Sequence, residues 1–183
     1  MDLQELKVEL ERLHSASFGW ALSCCRYDYP EAEDVLQMVY LKIFQGRAIY
    51  RGESKLQTWL FAVIRKTAMS ERRTTLLRSL KSINALPSAN LSSEVAAQLE
   101  RSELQRRFLE ALSALPGRQR ETLHLVFYQD LSLREAAEVM GISIGSARRH
   151  YECGKKRLRA VLDQKESDYG VRWGRKENPG AVL

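Results

Sequence analysis

The sequence predicts an all-α fold made of two small helical domains joined by a flexible linker, with a helix-turn-helix in the second domain. Three observations support this prediction. Apolar residues recur every three or four positions in nearly every periodic segment, whereas alternating runs typical of β-strands are absent. A polar stretch without periodicity, SINALPSANLSS at residues 82–93, divides the chain. The segment GISIGSARRHYECGKKRLRAVL, residues 141–162, then combines one apolar side with one strongly basic side.

The first domain is predicted to span residues 1–81 and to contain three helices. One face of the first helix is apolar and consists of Leu3, Leu6, Leu10, Leu13 and Trp20. The second helix begins near Pro30, because proline suits a first helical turn and the acidic residues that follow suit the helix dipole. The third helix lies in ESKLQTWLFAVIRKTAMSERR, and its expected core residues are Leu56, Leu60, Val63 and Ile64.

After the linker at residues 82–93, the second domain is predicted to span residues 94–162. Two helical segments, EVAAQLERSELQRRFLEALSALP and GRQRETLHLVFYQD, precede the helix-turn-helix. The C-terminal extension, residues 163–183, offers too little apolar surface to offset the entropy lost on ordering. We therefore expect this extension to be disordered.

The helix-turn-helix is predicted from a local pattern. Ser132 and Glu135 form a capping box at the start of a short helix, and Gly141 marks the turn. The inward positions of this short helix are Leu133, Ala136, Ala137 and Met140. The expected buried stripe of the longer helix is Ile144, Ala147, Tyr151, Gly154, Leu158 and Val161. A basic second helix after a glycine turn is typical of DNA binding, although an αα-hairpin with a merely solvated charged side is the simpler alternative.

Composition and charge limit the possible functions. The net charge of +6 favours a polyanionic partner, without separating DNA from RNA or an anionic membrane. No apolar run is long enough to span a bilayer and the N-terminus is acidic, so we expect a cytoplasmic protein without membrane insertion. The three cysteines and three histidines show no metal-ligand spacing, and no nucleophile or phosphate-binding motif is present. We therefore expect no metal, no cofactor and no enzymatic activity.

Four segments in order carry a family resemblance: EAEDVLQMVYLKIF, YRGESKLQTWLFAVIRKTA, LSALPGRQRETLHL and LSLREAAEVMGISIGSARRHYECGKKRL. From about residue 16 to residue 162 the chain resembles the extracytoplasmic-function (ECF) sigma factors of bacterial RNA polymerase. The resemblance implies an initiation subunit whose first domain binds the polymerase clamp and the minus-ten element. Its second domain would bind the minus-thirty-five element. The implied partners are core RNA polymerase and promoter DNA, with an anti-sigma factor as a further candidate.

The resemblance implies a polymerase-binding surface on the second helix. Its residues are Asp34, Gln37, Met38, Leu41 and Gln45. The sequence supports this surface independently, because the helix carries more apolar residues than one core face uses. Val35, Val39, Tyr40 and Ile43 face one way, whereas Met38 and Leu41 face another. The alternative is that Met38 and Leu41 close a tight helical bundle.

The resemblance also implies a minus-ten site. The loop that would capture a flipped base is Tyr50, Arg51, Gly52, Glu53 and Ser54. Arg65 and Lys66 lie where the family contacts the non-template strand, whereas Trp59 is expected to belong to the core. Lys66 replaces a common Asn and Ser70 a common Asp, so the preferred minus-ten sequence should differ from that of other members.

The implied minus-thirty-five site lies on the basic side of the longer helix. Its residues are Ser146, Arg148, Arg149, Glu152, Cys153 and Lys156. Many family members have an aromatic or aliphatic residue in place of Glu152 and a DNA-binding Arg in place of Cys153. The loss of positive charge at this point should shift contacts to the remaining residues and give an atypical promoter preference. Glu152 can accept a hydrogen bond from a cytosine amino group, and the simpler alternatives are that it is solvated or pairs with Arg148 or Lys156.

Two other classes of protein compete with this interpretation. A helix-turn-helix transcription regulator outside the polymerase holoenzyme accounts for the second domain, but it leaves EDVLQMVYLKIF and RGESKLQTWL without a role. A nucleic-acid-processing enzyme would need a carboxylate or metal-binding constellation, which the sequence does not provide.

Overall fold

The computed structural model of the protein describes residues 3–81 and 111–169, and no β-strand occurs in these two ranges. An N-terminal unit contains α1 (Leu3–Arg12), α2 (His14–Cys24), α3 (Tyr29–Phe44) and α4 (Leu56–Lys81). A C-terminal unit contains α5 (Gly117–Phe127), α6 (Leu133–Met140) and α7 (Ile144–Tyr169). The all-α prediction is confirmed. The predicted linker at residues 82–93 and the helix expected after it, up to residue 110, lie outside the described residues.

The N-terminal unit is built around α2, α3 and α4. The first predicted helix is divided at Leu13, whose N–H still bonds to the Glu9 carbonyl at 3.0 Å, so α1 and α2 are nearly continuous. Asp28 caps α3 by accepting a hydrogen bond from the Glu31 N–H at 2.9 Å, and Pro30 lies in the first turn as predicted. Trp20 is fully buried at the centre of the unit, and its indole N–H donates to the Phe61 carbonyl at 2.9 Å.

The helix-turn-helix forms as the sequence predicts. Ser132 and Glu135 complete a capping box, and Gly141 takes a left-handed conformation with φ of 61° at the turn. Such a backbone conformation is readily available only to glycine. Ala147 and Gly154 are buried on the inner side of α7. A Cβ atom on Gly154 would lie 3.1 Å from Leu123 Cδ1, so the glycine allows α7 to approach α5 closely.

Two details of α7 differ from the prediction. Ile144 was expected in the buried stripe, but 45% of its surface is exposed. It occupies the first position of α7 and borders a shallow surface cleft beside Ala137, Gly141 and Ile142. The helix also runs to Tyr169, beyond the domain boundary expected at residue 162, and Gln164, Lys165 and Glu166 in this stretch have good helix propensity. The remainder of the extension, residues 170–183, lies outside the described residues.

The two units pack against each other. α5 packs on α2, and α6 packs on α4. One hydrophobic cluster joins core residues of the N-terminal unit with the following residues of the C-terminal unit: Leu125, Leu131, Ala136, Val139 and Met140. The helix-turn-helix is therefore anchored on the N-terminal unit, an arrangement that the sequence did not predict.

Candidate polymerase and nucleic-acid interfaces

The predicted polymerase-binding residues lie on one side of α3 and at its C-cap, Gln45, and this surface is here called the outer face of α3. Asp34, Gln37, Leu41 and Gln45 are exposed, whereas Met38 is partly buried. Val35, Val39 and Ile43 on the opposite side are buried in the core. Leu41 keeps 56% of its surface exposed, so it does not close the helical bundle. An exposed leucine beside a partly exposed methionine is an apolar surface that a partner protein can cover.

The sequence analysis missed one candidate member of this surface. Phe44 has half of its surface exposed and lies three residues after Leu41, so the two side chains are neighbours on the helix. The spacing from Leu41 is a signal that could have identified it. With Phe44 included, the apolar patch extends to the last turn of α3.

The predicted base-capturing loop follows α3 and leads into α4. The Tyr50 hydroxyl donates to the Ser54 carbonyl at 2.6 Å, and its ring lies 5.4 Å from the partly buried ring of Trp59. Gly52 has a positive φ of 77°, and Arg51, Gly52 and Glu53 are exposed. Tyr50 and Ser54 thus hold the loop together, and the three residues between them are the ones available to a ligand.

Arg65 and Lys66 lie side by side in the sequence but in different environments. Lys66 is exposed on α4. Arg65 instead faces the C-terminal unit, where its Nε atom lies 2.9 Å from Glu121 Oε2 and its guanidinium also donates to the Met140 carbonyl at 3.1 Å. The side chains of Arg65 and Glu121 are only 12% and 13% exposed. The residue predicted to contact the non-template strand is therefore held in an internal ion pair.

The predicted minus-thirty-five residues form an exposed basic surface, here called the recognition face of α7. It consists of Ser146, Arg148, Arg149, Glu152, Cys153 and Lys156. Ser143, which the sequence analysis did not single out, accepts a hydrogen bond from the Ser146 N–H at 3.2 Å and so caps the first turn of the helix. This cap fixes the end of α7 that would enter a DNA groove.

Glu152 does not form either of the two ion pairs that the sequence suggested. Its carboxylate lies 3.7 Å from Lys155 Nζ, and Lys155 also lies over the Tyr151 ring at 4.8 Å from the centroid. Within the part of the chain that the structure describes, Arg148, Arg149 and Lys156 have no carboxylate partner. These three cations therefore remain available to phosphates or bases.

The cysteines differ in accessibility. Cys24 and Cys25 are buried, whereas Cys153 is exposed on α7. Burial, together with the nearby Glu31 carboxylate, raises the pKa of the Cys25 thiol to about 12. The adjacent pair at the end of α2 thus belongs to the core. Within residues 3–81 and 111–169, no helix combines the length and apolar character needed to cross a bilayer.

Comparison with known proteins finds two matching family models. The family model for Sigma-70 region 2 matches residues 10–76, and the model for Sigma-70 region 4 matches residues 105–158. RNA polymerase sigma factor SigZ of Bacillus subtilis is 27% identical over 140 residues, which cover 74% of this chain and 75% of that protein. ECF RNA polymerase sigma factor EcfG of Rhodopseudomonas palustris is 29% identical over 133 residues, which cover 72% of this chain and 71% of EcfG.

A similar solved structure is that of the sigma factor RpoE in complex with the anti-sigma factor NepR from Bartonella quintana. It superimposes with a TM-score of 0.73 at 26% identity, covering 88% of this chain and 98% of RpoE. Regions 2 and 4, in this order on an all-α fold, define a sigma-70-type transcription initiation factor. The chain belongs to the ECF group of sigma factors, which direct RNA polymerase to promoters and are initiation factors rather than enzymes.

Proposed function

We propose that this sigma factor binds core RNA polymerase through the outer face of α3 and contacts promoter DNA through two separate surfaces. The minus-ten surface consists of residues 50–54 with Arg65 and Lys66. The minus-thirty-five surface is the recognition face of α7. The observation that carries this proposal is the coexistence, in one chain with regions 2 and 4, of an exposed apolar patch on α3 and an exposed basic face on α7.

The domain limits proposed from the sequence assign the minus-ten contact to one domain and the minus-thirty-five contact to the other. Region 2 would occupy residues 1–81 and region 4 residues 94–162, with the linker at residues 82–93 allowing the two DNA contacts to be made at a distance. We further propose that the protein acts in the cytoplasm and catalyses no reaction of its own. An anti-sigma factor is a proposed partner, because the similar RpoE structure was solved with the anti-sigma factor NepR.

Transcription with purified components tests this function. Core RNA polymerase with and without the chain is supplied with fragmented genomic DNA of its host, and the transcripts are sequenced from their 5′ ends. We expect start sites that require the chain and share sequence elements near positions minus ten and minus thirty-five. Stable association with core polymerase without promoter-specific transcripts would contradict the proposal, and so would the absence of association.

The recognition face of α7 gives a prediction on sequence preference. Arg149 points most directly away from the buried stripe, so we assign it to base contacts and assign Arg148 and Lys156 to the DNA backbone. Arg149→Ala should cost about 1–3 kcal/mol on the preferred site and relax discrimination at one or two promoter positions. Lys156→Ala should weaken binding to all sequences alike and lower the salt dependence by about one phosphate contact. Binding to a library of minus-thirty-five duplexes at two salt concentrations measures both effects.

Cys153→Arg is the matched gain-of-charge variant for this experiment. It adds a cation to the middle of the recognition face, so it should tighten binding to every sequence and increase the salt dependence. An Arg149→Ala protein with undiminished affinity and an unaltered preference would show that α7 does not recognise DNA through this face.

A further inference from the structure

Glu152 places a carboxylate in the middle of the recognition face of α7. Arg149 precedes it by three residues, and Arg148 and Lys156 lie four residues away on either side, so these cations are within reach along the helix. Within the described ranges the carboxylate pairs with none of the three, and its ion pair is with Lys155 at 3.7 Å. The recognition face therefore keeps an acidic group that its own cations do not neutralise.

The contact with Lys155 leaves the Glu152 carboxylate available to a ligand. A separation of 3.7 Å is too long for a hydrogen bond, and 62% of the Glu152 side chain is exposed. Exposed ion pairs of this kind contribute little free energy. Lys155 is also held to one side, because its Nζ lies 4.8 Å from the centroid of the Tyr151 ring, which in turn stacks on Phe127. A donor in front of the recognition face can therefore bind Glu152 without displacing a strong internal partner.

The major groove of DNA offers few donors to a carboxylate. Only the exocyclic amino groups of cytosine and adenine donate hydrogen bonds there, whereas guanine and thymine present acceptors that repel it. Adenine also places its N7 acceptor beside the amino group, and a carboxylate has no hydrogen to donate to that atom. Cytosine presents its amino group without an acceptor of its own. Glu152 is therefore best matched to cytosine.

The spacing of Arg149 and Glu152 fits two neighbouring base pairs. Three residues of α-helix advance about 4.5 Å along the helix axis and turn the side chain direction by only about 60° from alignment. The duplex rises about 3.4 Å per base pair. A helix that lies along the groove thus brings the two side chains to consecutive pairs, so that a guanine contact by Arg149 is compatible with a cytosine contact by Glu152.

We propose that Glu152 is a specificity-determining residue, which accepts a hydrogen bond from the amino group of a cytosine in the minus-thirty-five element. This cytosine lies in the base pair next to the one that Arg149 contacts. The inference rests on the function proposed above and deepens it, because it assigns a base to one residue of the recognition face. Discrimination at this position should reach about tenfold, the usual extent for one good base contact.

Substitution of Glu152 tests the assignment through a change of base preference. Glu152→Gln replaces the carboxylate by an amide, which both donates and accepts and therefore suits the N6 and N7 atoms of adenine. In the library of minus-thirty-five duplexes, the preferred base at one position should change from cytosine to adenine. Glu152→Ala should lose the preference at the same position. Its binding to the other three bases there should not weaken, because removal of the carboxylate relieves repulsion of the phosphates.

A modified duplex identifies the group that Glu152 contacts. A cytosine analogue that lacks the 4-amino group is placed at the position affected by Glu152→Ala. The analogue should weaken binding of the parent chain about tenfold more than binding of Glu152→Ala. The comparison of the two proteins isolates the contact, because any effect of the analogue on the duplex itself is common to both.

Glu138→Gln is the matched control for these variants. Glu138 is an exposed residue of α6 in the same unit but outside the recognition face, so its loss removes a charge and should leave the base preference unchanged. Circular dichroism should show that all three variants remain helical, since both glutamates are exposed.

Tighter binding of Glu152→Gln and Glu152→Ala to all sequences alike, with an unchanged preference, would overturn the proposal, because the carboxylate would then only repel DNA. A parent chain that prefers a base other than cytosine at the affected position would overturn it as well. A failure of the proposed function is distinguishable from both outcomes, since it would appear as a parent chain that binds minus-thirty-five duplexes without preference at any position.

Discussion

Leu41→Asp combined with Met38→Glu is expected to abolish binding of the chain to core RNA polymerase, with a loss of at least about 100-fold in affinity. Both changes place a carboxylate on the outer face of α3, where an interface would have to bury it without a partner. The free protein should tolerate the Leu41 change, because 56% of that side chain is already exposed. Binding of labelled variants to purified core polymerase measures the loss.

Val8→Asp is the matched control for this prediction. Val8 lies on α1 and has the same exposed fraction of 56%, so it tests the effect of an acidic substitution away from α3. Met38 is partly buried, and the single variant Leu41→Asp therefore separates loss of binding from loss of folding. Full affinity in a folded double variant would show that the outer face of α3 does not bind core polymerase. A loss equal to that of Val8→Asp would show that the effect is not specific to α3.

The sequence predicts correctly those features that depend on residues within one helical turn of each other. The Ser132 and Glu135 capping box, the left-handed Gly141 and the division of α3 into a core side and an outer face all follow from spacings of three or four residues. Exposure of Leu41 follows for the same reason, because α3 has only one buried side.

The contacts that the sequence could not predict join residues far apart in the chain. Arg65 and Glu121 are 56 residues apart, and periodicity within α4 carries no information on which unit covers that side. The family resemblance placed Arg65 against DNA, yet its guanidinium is equally suited to an internal carboxylate such as that of Glu121. Glu152 pairs with Lys155 rather than Lys156. Three-residue and four-residue spacings both bring side chains together on a helix, so spacing alone does not determine the partner.

His124 is a second residue whose role depends on the packing of the two units. It is buried on α5, with its ring 5.5 Å from that of Trp20 on α2 and 5.2 Å from that of Tyr128. Its Nε2 atom lies 3.2 Å from the Gln129 amide nitrogen, which can only donate, so the imidazole accepts and is neutral. Burial alone lowers the pKa of His124 from 6.5 to about 4.

Acidification should therefore destabilise the protein through His124. Because the folded-state pKa lies below the unfolded value, the unfolded chain binds more protons between pH 6.5 and pH 4. The contribution of the neutral ring is complete above pH 6.5 and is lost as the pH falls through this window. The loss should reach about 2 kcal/mol at pH 5 and approach about 3 kcal/mol below pH 4. Since Trp20 belongs to the N-terminal unit, the protonated ring should also favour separation of the units.

Urea unfolding at a series of pH values measures this effect as the difference between the parent chain and His124→Gln. Glutamine keeps an acceptor for the Gln129 amide but does not titrate. The contribution of the carboxylates, which both proteins share, therefore cancels in the difference between their free energies of unfolding. His14→Gln is the matched control, because His14 is exposed and bonds only to the Tyr40 hydroxyl at 3.0 Å among the contacts of the described residues. The free energy of unfolding of His124→Gln should fall less steeply than that of the parent chain between pH 6.5 and pH 4. Parallel profiles for the parent chain and His124→Gln would show that His124 is protonated equally in the folded and unfolded states.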